Sequence, residues 1–151
     1  MKKVILALLP LALLIAAMYG FWLWFFCRFY VGPDQMAIIT AKSGAPLREG
    51  QLLADADQKG IRAAPVAEGR HFLNPVMYDW EIRQADIIPA GKVGIVTAKV
   101  GDELPEGVFI AEEGQKGIRR GVLGPGKYRL NPYGYTLEIV DAISIPIGYV
   151  G

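Results

Sequence analysis

QKGIRAAPVAEGRHFLNPVMYDWEI (residues 58–82) can be laid without a gap over QKGIRRGVLGPGKYRLNPYGYTLEI (residues 115–139). The offset is 57 residues, and it also pairs AIITAKSG (37–44) with GIVTAKVG (94–101) and IPAGKVG (88–94) with IPIGYVG (145–151). Over the whole overlap, 31–94 against 88–151, 27 of 64 pairs are identical. Self-similarity at a fixed period is the mark of a repeated structural unit, so the chain after residue 30 reads as two copies, 31–87 and 88–144, with 145–151 as the start of a possible third. A unit of this size is marginal alone, which predicts that the copies share a core or pack on neighbours.

The repeat reads as β. Tyr135, Leu137, Ile139, Ile143, Ile145 and Ile147 alternate with period two, as do Tyr78, Trp80, Ile82, Asp86 and Ile88. The pattern breaks at Gln84 and Asp141, equivalent places, predicting a bulge or a change of sheet. QMAIITAK and KVGIVTAKV are short, β-branched and bounded by glycine, as buried strands are, and VFIAEEG (108–114) is a further strand candidate. Eighteen glycines and ten prolines punctuate these runs and argue against long helices after residue 30.

GVLGPGKYRLNP (121–132) has nearly the spacing of a phosphate-cradling loop, and the repeat disposes of that reading. The first copy has Ala64, Gly69 and Arg70 at the places of Gly121, Gly126 and Lys127. Tyr128 stands where such a loop needs Ser or Thr for magnesium, and Pro125 removes an N–H from a loop whose work is donating them. The expected role is a tight turn: glycine permits positive φ at Gly69 and Gly126, and Asn74-Pro75 and Asn131-Pro132 hold the asparagines out of the helical region before an extended segment.

Residues 1–30 differ in kind. Residues 4–26, VILALLPLALLIAAMYGFWLWFF, carry no charge. As a helix the run would extend roughly 35 Å, and its apolar side chains predict insertion favourable by on the order of 5 kcal/mol. The expectation is a transmembrane helix over about 4–26, with Pro10 tolerated in lipid and Tyr19, Trp22, Trp24, Arg28 and Tyr30 gathered at one membrane interface. A cleaved secretory signal is the rival, opposed by the length of the run and by bulky residues where small ones should precede a cut. Cys27 follows Phe26, not the small residue a lipid-modified cysteine needs, and reads as a residue at the membrane edge. Lys2 and Lys3 before the run, against Arg28 after it, favour a single-pass arrangement with a cytoplasmic N-terminus and a periplasmic or otherwise extracytoplasmic body.

Hydrophobic residues make up 52% of the chain and the formal net charge is +1, so no basic field for nucleic acid is expected. One cysteine and one histidine exclude an intrachain disulfide and a Cys/His zinc site. Asp55-x-Asp57-x-Lys59 fails as a calcium loop because its fifth and twelfth positions are Lys59 and Val66. Glu112 and Glu113 are adjacent and read as surface charges. His71 aligns with Tyr128, an exchange expected of a packing residue, not of a general base. Ser43 and Ser144 sit in no nucleophile elbow. Arg62, Arg119 and Arg120 read as surface charges or ion-pair partners, with lipid head groups as the other option. No catalytic constellation and no cofactor is expected.

YVGPDQMAIITAKSG and EGRHFLNPVMYDWEI, followed by IPAGKVGIVTAKVG and GPGKYRLNPYGYTLEIVD, resemble the stomatin–prohibitin–flotillin superfamily (SPFH, or band 7). The resemblance covers most of residues 30–151, with Glu68 where the first copy's turn would usually have proline. It departs from the family's pattern in carrying the motif set twice and in lacking a long downstream helical region. It implies a mainly β protein with a membrane anchor and a non-enzymatic scaffold that oligomerises with itself or with related subunits. Such a scaffold organises lipids or an integral membrane partner such as a membrane protease. A monomeric anchored β adaptor, or one subunit of a larger membrane complex, is the alternative. The sequence is also expected to be the N-terminal or only the ordered part of a longer polypeptide, and an intact mass of 16.5 kDa for the natural protein would contradict that.

Overall fold

The strand-forming runs and the helix-forming run separate cleanly along the chain. The computed structural model describes residues 2–143, with side chains from residue 9 onward; the expected third copy at 145–151 lies outside the described residues. One helix, α1 (Lys2–Phe25), is followed by eleven short strands.

The first unit contains β1 (Arg28–Val31), β2 (Gln35–Ala41), β3 (Gly60–Ile61), β4 (Gly69–Phe72) and β5 (Tyr78–Gln84). The second contains β6 (Asp86–Ile88), β7 (Lys92–Ala98), β8 (Ile110–Ala111), β9 (Gly117–Arg119), β10 (Gly126–Tyr128) and β11 (Tyr135–Asp141). Adding 57 to the pairings of the first unit returns those of the second. Val31 faces Gly69 in the antiparallel ribbon β1–β4, and Ile88 faces Gly126 in β6–β10. Gln35 to Ala41 pair with Gln84 to Tyr78, and Lys92 to Ala98 pair with Asp141 to Tyr135. The bridges Ala37–Val66, Ala45–Gln58 and Ala54–Arg62 recur as Gly94–Leu123, Asp102–Gln115 and the parallel contact of Ala111 with Arg119. Each unit is therefore a two-stranded ribbon packed with a sheet of three or four strands.

At Ala85 the chain leaves one sheet, through β5, and enters another, through β6, which accounts for the break in alternation at Gln84. The unit boundary consequently sits near residue 85. The expected boundary at 87/88 falls inside β6, and residues 28–30, assigned to the anchor, form part of β1.

The first core consists of Phe29, Val31, Ala37 and Ile39, with Val66, Leu73, Tyr78 and Trp80 packed against it. Phe29 stacks on Trp80 with ring centroids 4.7 Å apart. In the second core Ile88 and Val96 are buried, and Gly94 takes the place of Ala37. A Cβ built on Gly94 would lie 2.6 Å from Ile88 Cδ1 and 2.7 Å from Leu137 Cδ1, so those side chains fill the space that Ala37 fills in the first unit. Ile82 and Ile139 are exposed, against the expected alternation, although they pair with Ala37 and Gly94 in the register.

The expectation of a transmembrane helix over residues 4–26 is corrected: among the described residues no helix is long and apolar enough to cross a membrane.

Candidate functional site

Two features stand out: a helix with no apolar neighbour, and a seam between the units. From Leu9 to Phe26 the large side chains of α1 and the residue after it are exposed, half-buried Leu23 excepted, including Leu13, Leu14, Ile15, Phe21 and Phe25. Aromatic side chains stack along the helix at Phe21–Phe25, 4.3 Å, and Trp22–Phe26, 4.7 Å. Of the five residues expected at a membrane interface, Tyr19, Trp22, Trp24 and Tyr30 are exposed, and the Arg28 guanidinium lies over the Trp24 ring at 4.6 Å. The helix joins the β body firmly. Phe26 N–H donates to the Trp22 carbonyl, Leu73 N–H of the β body donates to the Cys27 carbonyl, and Cys27 is buried.

The seam is built from the turn residues. Asn74 and Asn131 each open a turn in the same way. The side-chain Oδ1 accepts the N–H two residues on, from Val76 at 2.9 Å and Tyr133 at 3.0 Å. The Asn131 carbonyl accepts from Gly134 and Tyr135, as the Asn74 carbonyl accepts from Met77 and Tyr78. Lys42 Nζ and Lys99 Nζ donate to the carbonyls of Pro75 and Pro132 respectively. Gly69 and Gly126 open β4 and β10, leading into these turns.

Only Asn131 also reaches across. Its Nδ2 donates to the Arg62 carbonyl at 2.7 Å, and the residue is fully buried while Asn74 is exposed. Around this bond the first unit presents acids and the second presents bases. Lys127 Nζ lies 2.7 Å from Asp34 and 3.5 Å from Glu68, and Arg129 lies 3.3 Å from Glu68. The hydrogen bond and charge of Asp34, joined by Glu68, raise the Lys127 amine above its ordinary value against a smaller effect of burial. Tyr133 donates to Glu81 at 3.2 Å, and Arg83 lies 5.7 Å from the Tyr133 ring. Leu53 packs against Gly134 so closely that a Cβ on the glycine would lie 2.5 Å from Leu53 Cδ1.

The other residues singled out from the sequence lie apart from the seam or serve the fold. His71 Nε2 sits 2.8 Å from the Ala67 carbonyl, and Tyr128 hydroxyl donates to the Gly124 carbonyl at 3.1 Å; both side chains reach back to the carbonyl four residues earlier. Arg62 donates to the Asp55 carbonyl, Arg119 lies over Tyr135, and Arg120 pairs with Glu112 at 2.9 Å. Among the described residues no group of His, Cys, Asp or Glu is placed to hold a metal ion. The seam residues Asp34, Leu53, Glu81, Arg83, Arg129 and Tyr133 are not singled out from the sequence, and Glu68 and Lys127 are only as turn positions. Their signal was present: most of them stand where the two copies differ.

Comparison with family models, with curated proteins and with solved structures finds no match.

Proposed function

We propose that the protein is a membrane-associated scaffold of SPFH type, in which the apolar helix holds the β units at a lipid surface and those units assemble side by side. The uncovered helix is the observation that carries this reading. Full exposure of its leucines and aromatics to water would be costly at about 25 cal/mol per Å², and an apolar surroundings removes that cost. Trp, Tyr and Arg at its β-body end suit the polar edge of lipid, where an apolar ring and a polar tip are both satisfied. The seam adds a way for β units of this type to pack laterally. The reading needs no catalytic residue and no cofactor. From the family resemblance alone, its partners are membrane lipids, further copies or related subunits, and an integral membrane protein such as a protease.

The test is flotation of the full chain with liposomes of mixed neutral and anionic lipid, followed by sizing of detergent-extracted particles. The expected result is co-flotation and a particle of many copies. A chain with Leu13→Asp and Phe21→Asp, both exposed and clear of the β units, should remain in the dense fraction. Failure of the unaltered chain to float overturns membrane association, and a single-copy particle replaces the scaffold by the monomeric adaptor.

A further inference from the structure

The 57-residue equivalence assigns a partner to each outer face of the tandem. The first unit offers one face to the seam and the second offers the opposite face, so each unit also has a face turned away from it. The outer face of the first unit carries Phe72, Asn74, Val76 and Met77, equivalents of Arg129, Asn131, Tyr133 and Gly134; all four are exposed. The outer face of the second unit carries Ile110, Arg119, Pro125 and Val140, equivalents of Leu53, Arg62, Glu68 and Arg83. Leu53 is 7% exposed under the second unit, whereas Ile110 is 44% exposed.

The substitutions between copies are coordinated across the contact. Inside the seam Arg129 meets Glu68; on the outer faces Phe72 would meet Pro125. Inside, Tyr133 meets Arg83; outside, Val76 would meet Val140. Inside, Gly134 meets Leu53; outside, Met77 would meet Ile110, with the flexible thioether taking the space beside a β-branched residue. The Arg129–Glu68 and Tyr133–Arg83 pairs thus become apolar on both sides at once, while Lys127–Asp34 becomes Arg70 with Gly91 and Glu81 stays acidic as Glu138. The bond that fixes register is retained, since Asn74 stands where Asn131 donates and Arg119 stands where Arg62 accepts.

We propose that the outer face of the second unit receives the outer face of the first unit of another copy of this chain, extending the internal seam from molecule to molecule. This rests on the scaffold reading above and specifies its subunit contact. The contact is heterologous, so repetition gives a ring if the rotation closes and a filament if it does not.

The test uses the full chain in mild detergent with Cys27→Ala as background. Ile110→Cys and Met77→Cys are introduced on separate chains, mixed and mildly oxidised. By equivalence with the Leu53–Gly134 contact these positions lie within reach of a disulfide. The expected product is a mixed dimer from the two variants together, little from either alone, and a ladder from the double variant. As a second measurement, Phe72→Arg should weaken assembly at least ~10-fold, as loss of an interface anchor does, and Pro125→Glu on the same chain should restore it by recreating the Arg129–Glu68 pair. Large particles that give no mixed dimer and ignore Phe72→Arg overturn this contact while leaving a scaffold assembled elsewhere. Single-copy particles overturn both. Equal cross-linking of Met77→Cys with itself overturns the head-to-tail arrangement.

Discussion

Asn74 and Asn131 occupy one position of the repeat and close the same turn, yet they are under different demands. Asn131→Ala removes the turn contact to Tyr133 and also leaves the Arg62 carbonyl without its partner inside the seam. A buried acceptor left unsatisfied costs about 1–3 kcal/mol, so Asn131→Ala is expected to lower stability by more than Asn74→Ala by about that amount. Chemical denaturation of the two variants measures the difference directly; equal losses would mean that the cross-unit bond adds nothing. Asp86 poses a separate problem. It stands where the first unit has the buried Phe29, and desolvation raises its carboxyl above the ordinary value of 3.8, with a hydrogen bond to the Leu130 backbone offsetting part of the rise. A carboxyl raised on folding binds its proton more tightly in the folded state, so this group's contribution to stability falls as pH climbs from the ordinary carboxylate range through the raised value. Asp86→Asn removes the ionising group. The variant should therefore melt higher than the unaltered protein at pH 7, with the advantage shrinking as pH falls through the raised value and gone below about 4, where an ordinary Asp is itself protonated. Melting curves across that range check both the sign and the window.

The strands show what could be read from the sequence and what could not. β2 and β5, and their counterparts β7 and β11, are legible because β-branched and aromatic residues alternate there and because the copies repeat in register. β3 and β9 are two or three residues long, below the length at which periodicity carries information, and only backbone pairing defines them; β8 is two residues within the strand candidate 108–114. The β1 ribbon was absorbed into the apolar run before it, since RFYV continues that run's composition. The seam was missed for a related reason: identity between the copies drew attention to shared positions, while the contacts sit where the copies diverge. A pair of glycines shows how strictly the shared loops are built. Gly44 and Gly101 have φ of 135° and 114°. A Cβ on Gly44 would lie 2.5 Å from the Asp57 carbonyl oxygen, and one on Gly101 would collide with the Gly114 carbonyl. Backbone atoms cannot swing aside as a side-chain end can. Gly44→Ala and Gly101→Ala should each destabilise the fold by about 2–4 kcal/mol, combining the strained φ with the clash. Denaturation midpoints would measure this, and a loss below 1 kcal/mol at either position would show that the loop has another conformation available.

At the scale of the molecule, the question is whether two units with separate cores behave as one. Each core is small, and a unit of this length is expected to be marginal without a neighbour. Neighbouring repeats then stabilise each other through their interface, and folding is cooperative to the extent that the interface term is large. Here the interface depends on close approach at one point, Leu53 against Gly134, flanked by the Asn131–Arg62 bond and the ion pairs of Lys127 and Arg129. Exposed ion pairs contribute little singly, so packing and the buried hydrogen bond are expected to carry most of the coupling. Gly134→Leu places a full side chain where even a Cβ would lie 2.5 Å from Leu53, at a position that is no member of the core cluster of Phe29, Val31, Ala37 and Ile39. Calorimetry of the unaltered chain should show one unfolding transition for the β body. The variant should show two, with at least one moved to lower temperature, because the units then unfold separately. A single transition at an unchanged midpoint in Gly134→Leu would mean that the tandem is not held together at this seam, and lateral packing of further units by the same geometry would lose its physical basis.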